Sequence, residues 1–413
     1  MSVNLIGNVG DSLLHSFSDS DFPSLDRLPA WAGPSTTFED KAAVMKSWLN
    51  DCCTQHGKDR CRPLDFVPLR LVQVGLDGAT VQLVKGEAIG SLASVNYTTL
   101  SYCWGKTHQL QTTQDNVTEF STEIPRELLP KTMREAIRMT HLLGIPYIWI
   151  DALCIVQDDR EEWQNQAAQM HNIFRGSQLT IAAGQSSDSS KGCFPTRECL
   201  PGTGFVSNIE AADEVKARAG RLFRLYNGDV RNKAINSNIL STRGWTLQEQ
   251  LLSTRIATYS EPHLLWHCHS CFATESGLVL DPDFIQSSAI SFLYQDILQD
   301  ERLRQFTWRQ IVENYTLREF THPSDRIPAI AGLIQYFSSL FQDNPVLGLW
   351  PKTFARDLGW MRLTEANDVS KVTGLPSWTW LASRGGVKYS FWPWNSAAEQ
   401  QQVSHTNLLD YSV

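Results

Sequence analysis

What this chain lacks narrows it first. No apolar run approaches the roughly 18 residues that a membrane-spanning helix requires, so a helical membrane protein is not expected. The opening residues, MSVNLIGNVGDSLLHSF, hold neither a basic n-region nor a long apolar stretch and do not read as a secretory signal. Basic charge is in short supply: 36 Lys and Arg stand against 44 Asp and Glu, a formal net charge of -8. That balance argues against nucleic acid or an anionic membrane as a partner, since either needs a general basic face. A small anionic ligand at one local site is still compatible with it. The nine cysteines are odd in number and follow no framework spacing, which fits free thiols in a reducing compartment. These absences together predict a cytoplasmic protein.

What is present is ample for a core. A chain of 413 residues, 42% hydrophobic and 19% charged, has the composition of a soluble globular protein of two or three domains. Fourteen tryptophans fill a core or line a pocket, and the core is the plainer reading. There is no internal repeat.

The stretch 147–183 organises the rest. It opens on an apolar run, 147–156, in which Asp151 is the one side chain charged at neutral pH. Asp158 is placed to cap a helix, with Glu161 three residues on to complete a capping box. Trp163, Ala167, Met170 and Phe174 then repeat at helical spacing, and Gly176 suits a left-handed end. A second apolar run, 178–183, reads as another strand. Strand, helix and strand make a βαβ unit whose strands should run parallel. Ligands of such sheets sit beyond the carboxyl ends of the strands. Those ends carry Asp151, Cys154, Gln157, Asp158 and Asp159, with Glu162 in the first helical turn.

Residues 1–40 are polar and interrupted by prolines; 41–50 read as helical. The run 69–83 alternates like a strand pair turning at Asp77-Gly78, and 97–104 is a strand ending at Gly105. Gly105-Lys106-Thr107 is not a phosphate loop, because Leu100 stands where the first glycine is needed. A polar loop covers 107–123, and 130–143 is a helix closed by Gly144. The strands 97–104, 147–155 and 178–183 with their helices predict a parallel α/β sheet. The residues 184–240 read as a loop and insertion near the site. A short helix opens at 241–249, strands follow at 255–259 and 263–268, and helices at 306–316 and 326–341 dominate the end, Ser324 being a cap for the second. This gives an N-terminal arm with a small α+β segment (1–90), an α/β core (91–270) and a mainly helical C-terminal region (271–413).

Cys52, His56 and Cys61 bring two types of metal ligand within ten residues. Structural zinc needs four ligands, and Cys268 and Cys271, flanked by His267 and His269, are the pair that would close such a site. Small buried thiols are the plainer reading.

Three segments together resemble one family. YTTLSYCWG at 97–105, WIDALCIVQDDREEWQNQAAQM at 149–170 and STRGWTLQE at 241–249 look like the three signature blocks of the fungal heterokaryon-incompatibility (HET) domain, in its order. The segment around Cys52–His56–Cys61, HPSDRIPAIAGL at 322–333 and PSWTW at 376–380 resemble flanking features of full-length HET proteins. One departure stands out: Val156 occupies a position where the family usually has asparagine. The resemblance implies a flavodoxin- or TIR-like parallel core and a role in fungal non-self recognition and programmed cell death. Some TIR domains cleave NAD through a glutamate near a helix start, which points to Glu162.

Three functions follow. The first is cleavage of NAD or a related nucleotide at the N-glycosidic bond, with Asp151, Glu162 or Glu249 as the acting carboxylates. Arg243 would grip a phosphate, Trp104 or Trp245 would stack on a base, and Cys103, Cys154 and Gln157 would complete the binding surface. Set against this, Asp151 and Arg243 would merely satisfy one another, and Glu162 would merely cap. The second is a tailoring enzyme of fungal secondary metabolism, a cyclase, dehydratase or isomerase, in which Asp151, Glu249, His108 or His171 moves protons on a small molecule. The third is a non-catalytic module that signals by self-association. A thiol nucleophile at Cys103 or Cys154 has no histidine placed beside it by sequence.

Overall fold

The computed structural model describes residues 37–56, 60–89, 95–105, 110–194, 238–260, 263–275, 279–280, 301–363 and 374–389. Helix α1 (Phe38–Gln55) opens on a full capping box between Thr37 and Asp40. Strands β1 (Arg70–Val74) and β2 (Val81–Lys85) then pair antiparallel. Their turn forms where the sequence places it: Asp77 accepts the N–H groups of Ala79 and Thr80 at 2.9 Å each, and Gly78 takes a φ of 67°.

Strand β3 (Tyr97–Ser101) is buried at every position, as a central parallel strand must be. Its alternation assigns the layers. Thr98 shares a hydrogen bond with Thr140 of α3 (Lys131–Leu142), while Tyr97 donates to the carbonyl of Ile173 in α5 (Arg160–Gly176). Neighbouring strand residues point to opposite faces, so α3 and α5 cover opposite sides of the sheet. The one-turn α2 (Val117–Phe120) lies in the segment expected as a polar loop, which also bridges Thr112 to Val156.

Among the described residues the main sheet has nine strands, in the order β2-β1-β4-β3-β5-β6-β7-β8-β9. Here β4 is Tyr147–Trp149, β5 Leu179–Ala182, β6 Arg255–Ser260, β7 His263–Cys268, β8 Phe272–Thr274 and β9 Val279–Leu280. The central four, β4-β3-β5-β6, are parallel, and antiparallel strands flank them on both sides. The strands of the βαβ unit, β4 and β5, are therefore parallel as expected, with β3 inserted between them.

Four details of the unit differ from the sequence reading. The strand expected over 147–155 stops after three residues, and Asp151–Cys154 coils into a single helical turn, α4. A continuous apolar run does not distinguish a strand from a buried turn of helix, and the Asp151 carboxylate, which accepts the Ala152 N–H at 2.7 Å, favours the turn. The cap of α5 is Asp159, accepting from Glu162 N at 3.0 Å; Asp158 instead accepts from Gln114 N. Glu161 is exposed and closes no capping box. Gly176 stays helical; it is there because a Cβ would come within 2.6 Å of the Tyr97 hydroxyl.

The buried helix α6 (Gly244–Leu252) stands between two cores. The sheet and its helices form one. Leu247, Leu251 and Leu252 pack into the other, with Trp308 and Tyr315 of α7 (Glu301–Thr316), Phe337 of α8 (Pro328–Phe341) and Trp380. Trp149, Trp266, Trp308 and Trp380 are all fully buried, so these four fill cores. Ser324 does not cap α8; it lies inside a 3-10 turn, Pro323–Arg326, ahead of it. Among the described residues no helix is long and apolar enough to cross a membrane. Most of the insertion expected at 184–240 lies outside the described residues, as does His108.

Candidate functional site: a buried carboxyl pair

The carboxyl ends of β3 and β4 and the N-terminus of α6 meet at one place. Ser101, Tyr102, Cys103 and Trp104 leave β3; Asp151 opens α4 just after β4; Arg243 is the N-cap of α6, and Glu249 sits in its second turn. Ser101 shares the face of Tyr97 and Thr99, which turns its hydroxyl toward α6. There it donates to Glu249 Oε2 at 2.5 Å.

Asp151 is held by three donors. The Trp104 indole N–H lies 2.8 Å from Oδ2, the Ala152 N–H 2.7 Å from Oδ1, and the Tyr102 hydroxyl is the third. These bonds favour the ionised form, yet burial outweighs them and pushes the carboxyl above its ordinary value. Burial dominates at Glu249 too. Against the Ser101 bond and the charges of Arg243 and Arg318, enclosure and the nearby Asp151 push it up to about 7. The negative charge of Asp151 thus adds to the effect of enclosure at Glu249.

Arg243 is half-buried and acts on both carboxyls, and its guanidinium bonds to the Cys103 thiol. The thiol itself is raised, chiefly by burial. The loop bearing Arg243 is fixed from outside. Arg318, buried two residues beyond the end of α7 (Glu301–Thr316), donates to the carbonyl of Arg243 at 2.9 Å and to Thr246 Oγ1 at 3.1 Å. Burial lowers Arg318 to about 9, with Glu249 opposing the shift. The Phe320 ring packs against the backbone of Gly244, where a Cβ would sit 1.9 Å from it.

The other expected residues go elsewhere. Both oxygens of Glu162 are taken by Arg70, at 2.5 and 3.0 Å, and one also accepts the Val156 N–H at 2.8 Å. Cys154 faces the core, its sulfur accepting from Ile150 N, and burial pushes its thiol up to about 12. Gln157 donates to the carbonyls of Asp151 and Ile155 and so braces the α4 turn. Trp245 sends its indole N–H to Asp325 at 3.1 Å and sets its ring edge-on to Trp163, bridging the two cores. His171 bonds Ala168 O at 2.9 Å in the seam where Gly332 of α8 packs.

Of the three residues expected at one cleft, Arg243 acts on Asp151 at a distance without an ion pair, Glu162 is drawn off to Arg70, and Glu249 takes the place beside Asp151. Residues 97–249, from the first residue of β3 to Glu249 itself, match the model of the family described as Heterokaryon incompatibility protein (HET). The chain carries a HET domain. No curated protein and no solved structure matches the chain. Within the HET domain, sequence reasoning misses Ser101 and Tyr102, although alternation from Tyr97 would have found Ser101. Arg318 lies beyond the matched segment and carries no sequence signal of its own.

Proposed function

We propose that this HET domain cleaves the nicotinamide–ribose bond of NAD or a related nucleotide, as the chemical step of an incompatibility response. The observation that supports it is the pair Asp151 and Glu249, enclosed beside Arg243 at the carboxyl ends of parallel strands. Breaking that bond sends its electrons to the nicotinamide nitrogen and leaves positive charge on the ribose ring. A fixed carboxylate beside the ring, Asp151, stabilises that charge within an enclosed, low-dielectric site. Water then adds at the anomeric carbon and releases a proton. A group poised near pH 7 is suited to take it, and Glu249 is that group. Arg243 offers the two-pronged geometry that grips a phosphate.

The test is nicotinamide release from NAD by the purified chain. Glu249→Gln and Asp151→Asn should each lower the rate by about 100-fold or more. A wild-type protein no faster than buffer would overturn the proposal, as would a Glu249→Gln variant of undiminished rate.

The same near-neutral Glu249, hydrogen-bonded to Ser101, also suits proton transfer on a small metabolite, the second reading. Intact NAD with metabolite-induced thermal shifts would select it. Silence in both assays, with concentration-dependent sedimentation, would assign a self-associating module without catalysis.

A further inference from the structure

A second cluster, remote in sequence from the carboxyl pair, brings together side chains of a different chemistry. Cys52 lies in the last turn of α1, His56 is its C-cap, Cys61 follows, and Cys268 ends β7. One ligand atom from each of the four lies within 4.8 Å of all the others. The Nδ1 of His56 is 3.4 Å from Cys268 Sγ and 3.9 Å from Cys61 Sγ. A tetrahedral centre with metal–sulfur bonds of about 2.3 Å and a metal–nitrogen bond of about 2.0 Å has edges of roughly 3.5–3.8 Å. The two N···S separations, 3.4 and 3.9 Å, lie close to the expected edge of about 3.5 Å, and small adjustments would draw the remaining pairs, all within 4.8 Å, onto the ion. All three cysteines are buried and none is in a disulfide.

The charges around the cluster are an independent observation. Arg255 is 3% exposed, and its guanidinium donates to Cys52 Sγ at 3.1 Å and to the carbonyls of Cys61 and Gln178. Among the described residues no carboxylate forms an ion pair with it. A buried guanidinium with only neutral partners is costly, since its charge has lost its hydration. Three thiolates, a neutral imidazole and a doubly charged cation leave one net negative charge, which is the partner Arg255 needs. Its N–H···S bond is then the outer-shell contact that such a centre requires.

We propose that Cys52, His56, Cys61 and Cys268 bind a structural zinc ion. The ligand set is three sulfurs and one nitrogen with no position left for water, which favours zinc in a fixed, non-catalytic role. The ion would fasten the end of α1 to the end of β7, ligands that lie 212 residues apart along the chain. The closing ligand is Cys268 and not the pair with Cys271 that the sequence suggests. Cys271 Sγ sits 3.7 Å from Cys268 Sγ but outside the mutual cluster of four. The proposal is independent of the nucleotide reading.

The experiment is metal analysis of the full chain purified without chelator, with about one zinc per chain expected. Cys61→Ser and Cys268→Ser should hold less than about a tenth of that, while Cys53→Ser, at an exposed neighbour outside the cluster, should hold the full amount. Because a ligand variant that fails to fold would also lose metal, the second measurement is made on the wild type. Stripped of metal and titrated with cobalt, it should develop the charge-transfer and d–d absorption of tetrahedral cobalt–thiolate at one equivalent. Wild-type protein that contains no stoichiometric metal and shows no such spectrum overturns the proposal. Zinc loss in Cys53→Ser equal to that of the ligand variants overturns it as well.

Discussion

Ser101 Oγ and Glu249 Oε2 are joined by a 2.5 Å hydrogen bond between residues 148 positions apart. It connects the end of a buried strand to the second turn of a buried helix, and so links the first and last blocks of the HET domain directly. Glu249 is held in place by this bond and kept close to neutrality by enclosure.

The first prediction concerns pH. Glu249 is raised from 4.5 to about 7 in the folded chain, so between those values the folded state keeps a proton that the unfolded state releases. The stability this group contributes is complete below about 4.5 and is lost as pH rises through about 7, to a total of about 3 kcal/mol. Asp151 is shifted in the same direction. Urea unfolding from about pH 5 to about pH 8 should show the decline, and Glu249→Gln should flatten most of it. An equally steep slope in the variant would place the proton on another group.

Arg318 should matter more than its place in the connection after α7 suggests. It supplies the Glu249 pocket with positive charge and satisfies the carbonyl of Arg243. Arg318→Ala leaves both uncompensated and should cost about 3–5 kcal/mol. In the same variant the Glu249 titration, followed by the pH slope of stability, should move further up. A cost below about 1 kcal/mol would show that Arg318 is not a support.

Gly244→Ala tests the contact with Phe320. The added Cβ would meet the ring at 1.9 Å, and the ring or the helix start must give way. Overpacking of this kind costs about 1–3 kcal/mol. Combining it with Phe320→Ala should recover most of the clash, giving a coupling energy of at least about 1 kcal/mol in a double-mutant cycle. Simple additivity would refute the contact.

Glu162 and Arg70, each side chain 14% exposed, should behave as one structural unit. Glu162→Gln and Arg70→Met should destabilise by similar amounts, about 2–3 kcal/mol, because each leaves the other partner uncompensated. Nicotinamide release per folded molecule should be the same in both variants. A loss specific to Glu162→Gln would return that glutamate to the chemistry.

Much of this architecture is legible in the sequence because burial imposes period. The alternation around Asp77-Gly78 gives β1 and β2, and the stripe Trp163, Ala167, Met170, Phe174 gives α5. Where burial is continuous the period vanishes, and the Asp151–Cys154 turn hides inside an apolar run. The site was half legible for a similar reason. Asp151, Arg243 and Glu249 stand in recognisable blocks. The partner of Glu162, however, is Arg70, 92 residues away, and local spacing carries no trace of it. The thiol cluster shows the same limit: three ligands are near neighbours in the chain, and only the fold selects Cys268 over Cys271.

The match to the HET family ends at residue 249, but the machinery it encloses does not. Because Arg318 reaches back to Arg243, and Gly332 lets α8 seat against His171 and Gln248, a fragment trimmed at that boundary would expose the buried side of α6 to water. Excision by homology alone would therefore remove the partners of Leu247, together with Leu251 and Leu252 themselves, and leave this apolar face uncovered.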